Sequence, residues 1–428
     1  MNINDELISF ISSSPSPYHA VKTLEDMLVS EGYTRLYENR PWSIERGGKY
    51  YVIRNGSSVI ALRIPEVACS GFMIMAAHSD APTFRVKETA EVKGGGFTRL
   101  NVERYGGMIC STWLDRPLSL AGRAAVREDG GISVKTVDID RDLLVIPNVA
   151  IHMERNINDG KSYNANVDML PLMALENSRE LDELVAESIG VDKKDIISKE
   201  LSLYLRQKGF VWGSENEFIS APRLDDLQCV FSCARGFISA GKNSSINVLS
   251  IFDNEEVGSG TKQGADSEFL SAVLDRVCTS LGENRHTMLA NTFMVSADNA
   301  HAVHPNHPEY ADRSDRVRLN GGIVIKYSAN QRYTTDTVSA AVFEEVCSMA
   351  GVPTQRFTNR ADMLGGSTLG NISSSHVSVN TVDIGLPQLA MHSACETAGS
   401  CDTEYLIRAA KKFYELSFTQ TGDRVELI

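Results

Sequence analysis

Short apolar runs that end at polar or ionisable residues recur along this chain and constrain its fold more than any other feature. These runs are FMIMAA before His78, INVLSIF before Asp253, FMVSA before Asp298, GIVIKY around Lys326 and LPQLAM before His392. Apolar runs of this length predict buried strands. Between them, residues 267–281 and 335–350 place apolar side chains at three- and four-residue spacing, which predicts helices. Alternating strands and helices indicate an α/β fold.

The middle of the chain has a different pattern. Residues 110–140 contain two segments of alternating apolar and polar residues, joined by the sequence EDGG, which favours a hairpin turn. We therefore predict that a β-rich domain, residues 89–217, interrupts the α/β domain. The α/β domain then consists of residues 1–88 and 218–428.

The composition excludes several classes of function. The chain has 428 residues, 42% of them hydrophobic, which is enough to bury a large core. Its formal net charge of −13 argues against binding to nucleic acid or to an anionic membrane surface, since both require clustered Lys and Arg. The sequence has no apolar run of about 18 residues, the length that spans a bilayer. It also lacks a basic leader at its start, so we expect a cytoplasmic protein.

Residue types that bind metals follow most of the predicted strands. They are His78 and Asp80, Glu255 and Glu256, Asp298, and His392, with Asp225 in a loop that leads into a predicted helix. In open α/β sheets, ligands bind beyond the carboxyl ends of the strands, so these side chains are expected to meet at one edge. Imidazole and carboxylate ligands suit zinc, manganese or cobalt. The eight cysteines include no CxxC pair that would form a thiolate site.

Each of these motifs also has a simpler interpretation when it is taken alone. The HSD sequence after a strand is commonly a turn, and NEE is commonly a solvated loop. Asp298 and Asp225 can cap following helices, because Asp is a favoured N-cap residue. His392 can be a hydrogen-bonded histidine of the core. The joint occurrence of two histidines and three carboxylates favours a metal site over these alternatives.

The two adjacent glutamates can have different roles. Successive side chains at the end of a strand point in different directions, so one carboxylate can bind a metal while its neighbour faces a reacting water. A carboxylate near a water activated by a metal can act first as general base and then as general acid. Gly258 and Gly260 would allow the loop to turn tightly beside the site.

Several sequence blocks together resemble the aspartyl aminopeptidase family of dinuclear zinc metallopeptidases. The blocks are SPSPYHAV, AAHSDAPTFRVK, APRLDDL, DNEEVGSG, SADNAHAVHPN, IKYSANQRY, GGSTLG and AMHS. They occur in the family's order from Ser14 to near the C-terminus, so the resemblance covers nearly the whole chain. It implies a zinc-peptidase-like α/β/α sandwich with an inserted β-rich dimerisation domain. It also implies removal of single N-terminal residues, with a preference for Asp or Glu, from peptides with a free amine.

The resemblance assigns roles to the metal-binding residue types. It implies two zinc ions per subunit, with manganese or cobalt as substitutes. His78 and Asp298 would bind one ion, Glu256 and His392 the other, and Asp225 both. Glu255 would be the catalytic base, and Asp80 would orient the imidazole of His78.

Further residues are implied to contact the substrate. These residues are Lys326, His301, His304 and Gly366. His152, in IPNVAIHMER, would reach the active site of a neighbouring subunit and stabilise the tetrahedral intermediate there. From the residues alone, Lys326 is equally an edge or surface lysine, and His152 a core or hairpin histidine. The resemblance also implies a homo-oligomer, a tetrahedral dodecamer built from dimers.

Two departures from the family pattern bear on the substrate. Cys395 replaces an arginine after MHS, and Asp226 stands where asparagine is common. Both changes make the local field more negative, which disfavours an acidic substrate side chain. Two alternative functions stay open: another dinuclear metallohydrolase, such as an acylamino deacylase or a carboxypeptidase, and an inactive homologue that only forms the shell.

Overall fold

A computed structural model describes residues 2–363 and 365–428 of the chain. Its helices are α1 (Ile3–Ser12), α2 (Pro17–Ser30), α3 (Leu181–Ile189), α4 (Leu224–Ser239), α5 (Phe269–Leu281), α6 (Arg285–Ala290), α7 (Thr337–Ala350), α8 (Leu369–Ser373) and α9 (Asp402–Tyr414). The two predicted helices are confirmed as α5 and α7, and each begins two residues later than its apolar pattern. In α7 the start is fixed by Asp336, whose side chain accepts the backbone N–H of Ser339 at 2.8 Å.

The strands of the described residues fall into four sheets. The first are β1 (Thr34–Leu36), β2 (Lys49–Arg54), β3 (Ser58–Arg63) and β4 (Phe72–His78). The next are β5 (Thr83–Gly94), β6 (Phe97–Tyr105), β7 (Leu118–Glu128), β8 (Gly131–Asp138), β9 (Leu172–Leu175) and β10 (Ile196–Leu205). The last are β11 (Phe210–Trp212), β12 (Phe218–Ala221), β13 (Ile246–Phe252), β14 (Phe293–Ala297), β15 (Ala300–His301), β16 (Ile323–Tyr327), β17 (Thr354–Thr358), β18 (Asn380–Gly385), β19 (Pro387–Leu389), β20 (Glu396–Gly399), β21 (Phe418–Thr421) and β22 (Arg424–Leu427).

The large sheet has nine strands in the order β1-β2-β3-β13-β4-β14-β18-β16-β17. Its central strands β13, β4, β14 and β18 are parallel to one another, so their carboxyl ends lie at one edge. Successive residues of β4 belong to opposite cores: Met73 and Met75 pack with α4 and α9, whereas Phe72 and Ile74 pack with α5. Helices therefore cover both faces of the sheet, and the predicted α/β fold is confirmed.

A second sheet has six antiparallel strands in the order β8-β7-β10-β5-β6-β9 and its own apolar core. The predicted EDGG hairpin is confirmed, since β7 and β8 pair up to Glu128 and Gly131. Phe84 and Trp113 pack edge to face in this core, with ring centroids 5.6 Å apart. The strands of this sheet extend from Thr83 to Leu205, whereas the predicted insertion was 89–217.

One predicted strand is present but lies outside the large sheet. The LPQLAM run does not join the large sheet: β19 lies in a five-stranded sheet of order β11-β12-β20-β19-β15. The large sheet instead uses β18, whose buried Asp383 interrupts the apolar pattern and hid the strand from sequence analysis. Hydroxyl groups of Thr334 and Thr368 donate to this carboxylate at 2.7 and 2.6 Å, which offsets the cost of burying it.

A search of the described helices for a segment both long and apolar enough to cross a membrane finds none.

Candidate metal centre

Three parallel strands deliver ionisable side chains to the same edge of the large sheet. His78 is the last residue of β4 and pairs with Phe252, the last residue of β13. Glu255 and Glu256 form a short 3-10 turn just beyond β13, and Asp298 directly follows β14. The predicted convergence of these segments is confirmed by the groups of ligand atoms that lie within 4.8 Å of one another.

Asp225 lies between two histidines that come from distant parts of the chain. Its Oδ1 atom is 3.5 Å from Nε2 of His78, and its Oδ2 atom is 3.4 Å from Nε2 of His392. The residue is only 2% exposed. Each carboxylate oxygen therefore faces a different imidazole, the arrangement expected of a ligand shared between two metal ions.

Two potential ligand sets share this aspartate. One consists of His78, Asp225 and Asp298, and the other of Asp225, Glu256 and His392. In the second set, Nε2 of His392 is 3.4 Å from Oε2 of Glu256. A third group joins His78 to Glu255 and Glu256, so both glutamates face the same space.

The donor atoms fit cations. Oδ1 of Asp225 and Oε1 of Glu256 are buried and accept no hydrogen bond from the described residues. Buried carboxylate oxygens normally have partners, because an unpaired one costs free energy. Two divalent ions, held by imidazole and carboxylate groups, would satisfy both atoms and match the chemistry of zinc sites.

The pKa values reflect this crowding of carboxylates. Burial raises the pKa of Glu255 to about 7, and it raises that of Glu256 well above its usual range. Burial also acts on Asp225, but its contacts with His392 and His78 outweigh it and lower its pKa. Burial thus disfavours the charged forms of the two glutamates, and cations bound beside them would favour the carboxylates.

Asp80 connects His78 to the glutamate pair. Its carbonyl oxygen is 3.1 Å from Nδ1 of His78, and its carboxylate Oδ1 is 3.5 Å from the same atom. The carboxylate also accepts the backbone N–H groups of Glu255 at 3.1 Å and of Glu256 at 3.2 Å. Asp80 is thus placed to orient the imidazole and also fixes the backbone of the 3-10 turn.

Sequence analysis missed three residues around this centre: Tyr105, Gly106 and Glu396. The O–H group of Tyr105, at the end of β6, donates to Oδ2 of Asp80 at 2.6 Å and accepts from Asn254 at 2.9 Å. Gly106, at φ +74°, follows it, and a Cβ there would lie 3.1 Å from Cβ of Glu256. Glu396 accepts backbone N–H groups from Asp225 and His392. For Glu396, the only signal in the sequence was its place at the end of the MHSACE block, directly after His392 and three intervening residues.

The simpler interpretations of three residues were wrong. Asp225 sits in the first turn of α4 with non-helical dihedral angles, and no side chain caps that helix. Asp298 is followed by β15 rather than by a helix. The side chain of His392 is 32% exposed, and its backbone adopts φ +66° in a turn outside the core.

Lys326 is neither an edge nor a surface lysine. Its strand β16 lies between β18 and β17, and the residue is 3% exposed. The ammonium group donates to the carbonyl oxygen of Asn299 at 2.9 Å and lies 3.7 Å from Oδ1 of Asp298. Burial alone would lower the pKa of Lys326, but Asp298 and nearby acids outweigh it and raise the pKa.

The other residues that were predicted to act on the substrate lie outside this cluster of ligand residues. His301 lies on β15, where burial of its ring and the charge of Lys326 lower its pKa. His304 is exposed and packs against His307, with ring centroids 5.3 Å apart. Gly366 is exposed, and no atom of the described residues lies within 4 Å of a Cβ added there. His152 lies in an exposed turn, neither in the core nor in a hairpin strand.

The two departures from the family pattern have different structural settings. Asp226 is fully buried, and burial raises its pKa well above its usual range. Its Oδ2 atom accepts the backbone N–H of His78 at 3.3 Å. Cys395 is partly buried against the core of the six-stranded sheet.

A large cleft lies away from the metal-binding cluster. It has a volume of about 1610 Å³ beside β16, β17 and α7, and none of the clustered ligand residues lines it. The chemistry of the donor atoms, rather than cleft size, therefore identifies the site.

Comparison with known proteins agrees with this geometry. Residues 10–414 match the family model described as aminopeptidase I zinc metalloprotease (M18). A relative from Clostridium acetobutylicum, named probable M18 family aminopeptidase 2, is 46% identical over 424 residues, which cover 96% of this chain and 98% of the relative.

Solved structures extend the likeness to the whole fold. A chain in the cryo-EM structure of the Ape4 and Nbr1 complex is 38% identical, with a TM-score of 0.94, covering 96% of this chain and 85% of that chain. The S. cerevisiae mApe1 dodecamer is 28% identical, with a TM-score of 0.86 and 96% coverage of both chains. The chain therefore belongs to the M18 family of metal-dependent aminopeptidases.

Proposed function

We propose that this protein removes single N-terminal residues from peptides with a free amine, using two zinc ions per subunit that manganese or cobalt can replace. The observation that carries the proposal is the placement of Asp225, whose two oxygens each face a different histidine. A shared carboxylate of this kind is typical of sites that hold two metal ions.

The ligand sets follow from the two groups that share Asp225. His78 and Asp298 would hold one ion, and Glu256 and His392 the other. When bound, the ions polarise the scissile carbonyl and lower the pKa of the attacking water. The orphaned oxygens of Asp225 and Glu256 support this assignment.

Glu255 is proposed to move the proton. Its backbone N–H is held by Asp80, and its side chain faces the same space as Glu256 and His78. The carboxylate would accept a proton from the attacking water and then deliver it to the nitrogen of the leaving amine. Asp80 orients His78 in this proposal and keeps Glu255 in place.

We propose Asp or Glu as the preferred N-terminal residue. Lys326 supplies a buried positive charge beside the ligands, 3.7 Å from Oδ1 of Asp298, and this charge would attract an acidic substrate side chain. His301, His304 and Gly366 are proposed as further contacts, and the pKa of His301 responds to the charges of Lys326, Asp225 and His392.

A panel of peptides that differ only in the N-terminal residue tests this function. With both ions bound, the protein should release that residue from free-amine peptides, fastest for Asp and Glu, and should leave N-acetylated copies intact. Cleavage of blocked peptides or of C-terminal residues would replace this proposal with a deacylase or carboxypeptidase. Absence of any cleavage by the fully metallated protein would favour the inactive homologue.

The six-stranded sheet is proposed as a dimerisation domain, from which dimers assemble into a tetrahedral dodecamer. The S. cerevisiae mApe1 relative is a dodecamer. Near His152, the apolar side chains of Val149, Ile151 and Met153 are 42%, 48% and 83% exposed, which suits contact with a second subunit. A monomer in sedimentation experiments would contradict this assembly.

The Tyr105→Phe variant should weaken zinc binding about 10–100-fold, because it removes a hydrogen bond to the carboxylate that orients His78. Tyr204→Phe is a matched control, since Tyr204 is also buried, donates to Asp138 at 2.7 Å and accepts from Arg206 at 3.3 Å. Both variants lose a bond to a carboxylate, worth about 1.5–3 kcal/mol of unfolding free energy.

Chelator competition measures the zinc affinities, and thermal unfolding measures the stabilities. Equal zinc affinity in the two variants would show that Tyr105 contributes only to stability.

A further inference from the structure

Glu396 holds two residues of the metal centre at once. The residue begins β20 and is 2% exposed. Its Oε2 atom accepts the backbone N–H of Asp225 at 2.9 Å, and its Oε1 atom accepts the backbone N–H of His392 at 2.7 Å. A single carboxylate thus joins the chain segments that supply the two sides of one ligand set.

Neither of these two N–H groups is positioned by regular helix or strand geometry. Asp225 has dihedral angles of φ −82° and ψ 106° inside the first turn of α4, and His392 has φ +66° in a turn. An N–H group in such a position needs a partner from elsewhere in the protein. Charge-assisted bonds to a carboxylate are among the stronger partners available.

The carboxylate itself has a rigid support. Glu396 pairs with Ala221 of β12, in an antiparallel ladder that continues to Phe218 and Gly399. Only three residues separate Ala221 from Asp225, and only three separate His392 from Glu396. The five-stranded sheet therefore fixes the distance between the two segments, at which His392 Nε2 lies 3.4 Å from Asp225 Oδ2.

We propose that Glu396 is a positioning residue that sets the geometry of the ion shared by Asp225, Glu256 and His392. This inference rests on the proposed two-ion site. Glu396 supplies no atom to the groups of potential ligands; it acts through the backbone of two of them. Removing one of its acceptor oxygens should free the backbone of one ligand residue. The affinity for the ion held there should then fall.

Asp402 offers a matched control. It is fully buried and also accepts two backbone N–H groups, from Asn320 at 2.7 Å and Gly322 at 3.2 Å. Its partners belong to the loop before β16 and contribute no ligand to the centre. Glu396→Gln and Asp402→Asn make the same chemical change, since each amide keeps one acceptor oxygen and turns a donor towards the other N–H group.

The experiment measures zinc and cobalt affinity by chelator competition in the full chain, with the visible absorption spectrum of bound cobalt as a report of ligand geometry. Glu396→Gln should lower the affinity for at least one ion about 10–100-fold and change the absorption spectrum of bound cobalt. Asp402→Asn should match the wild type in both, although both variants unfold at lower temperature. Wild-type affinity and spectrum in Glu396→Gln would overturn the proposal, as would equal changes in the two variants.

If Glu396→Gln does not fold, Glu396→Asp tests the same proposal. It keeps the charge but moves the carboxylate one methylene away from both N–H groups, so a similar loss of affinity is expected. Wild-type affinity in a folded Glu396→Asp protein would overturn the proposal. The readout of this experiment is metal binding, so it does not depend on peptidase activity. If the peptidase proposal is wrong, the wild-type protein binds two ions but cleaves no peptide.

Discussion

Replacing Glu255 by glutamine is expected to lower kcat about 10²–10⁴-fold while both metal ions stay bound. Glutamine has the shape of glutamate but cannot accept the proton of the attacking water. Glu255 faces His78 and Glu256, and Asp80 holds its backbone N–H at 3.1 Å, so the substitution should leave the surrounding structure intact. Steady-state kinetics together with measured metal content test the prediction.

The neighbouring glutamate is the natural control for this variant. Glu256 has one oxygen 3.4 Å from Nε2 of His392 and a buried Oε1 atom without a hydrogen-bond partner. Glu256→Gln should therefore lose metal affinity, whereas Glu255→Gln should lose turnover at full metal content. A Glu255→Gln enzyme that cleaves at the wild-type rate, or that loses its ions, would refute the separate roles.

The convergence of ligands at the sheet edge was predictable because it follows from local patterns. His78, Asp298 and the glutamate pair each come just after an apolar run, and strands of this kind run parallel in an α/β sheet. Their carboxyl ends must then meet at one edge, whatever the rest of the chain does. No long-range information was needed to place these residues.

The supports of the site were not predictable in this way. Tyr105 comes from the six-stranded sheet and meets Asp80 across 25 positions of sequence, and Glu396 meets Asp225 across 171. Neither contact leaves a periodic pattern or a turn signal. Buried polar residues such as Asp383 also break the apolar runs that reveal strands, because their partners lie elsewhere in the chain.

The role proposed for His152 requires a second subunit. It is exposed in an isolated chain, and no ligand of the metal centre lies in its turn. If it stabilises the tetrahedral intermediate in a partner's site, His152→Ala should lower kcat about 10²–10³-fold, the usual cost of one such donor. His286→Ala, at an exposed histidine of α6, should leave kcat unchanged.

Mixed assemblies distinguish action within a subunit from action across the interface. Co-expressed His152→Ala and Glu255→Gln subunits each lack one group, but in a mixed dimer the site that retains Glu255 receives His152 from its partner. Random pairing in a two-fold dimer should restore about a quarter of the wild-type activity. Pairing His152→Ala with a subunit that carries both substitutions should restore none. If the first mixture stays as inactive as its parents although mixed dimers form, His152 does not act across the interface.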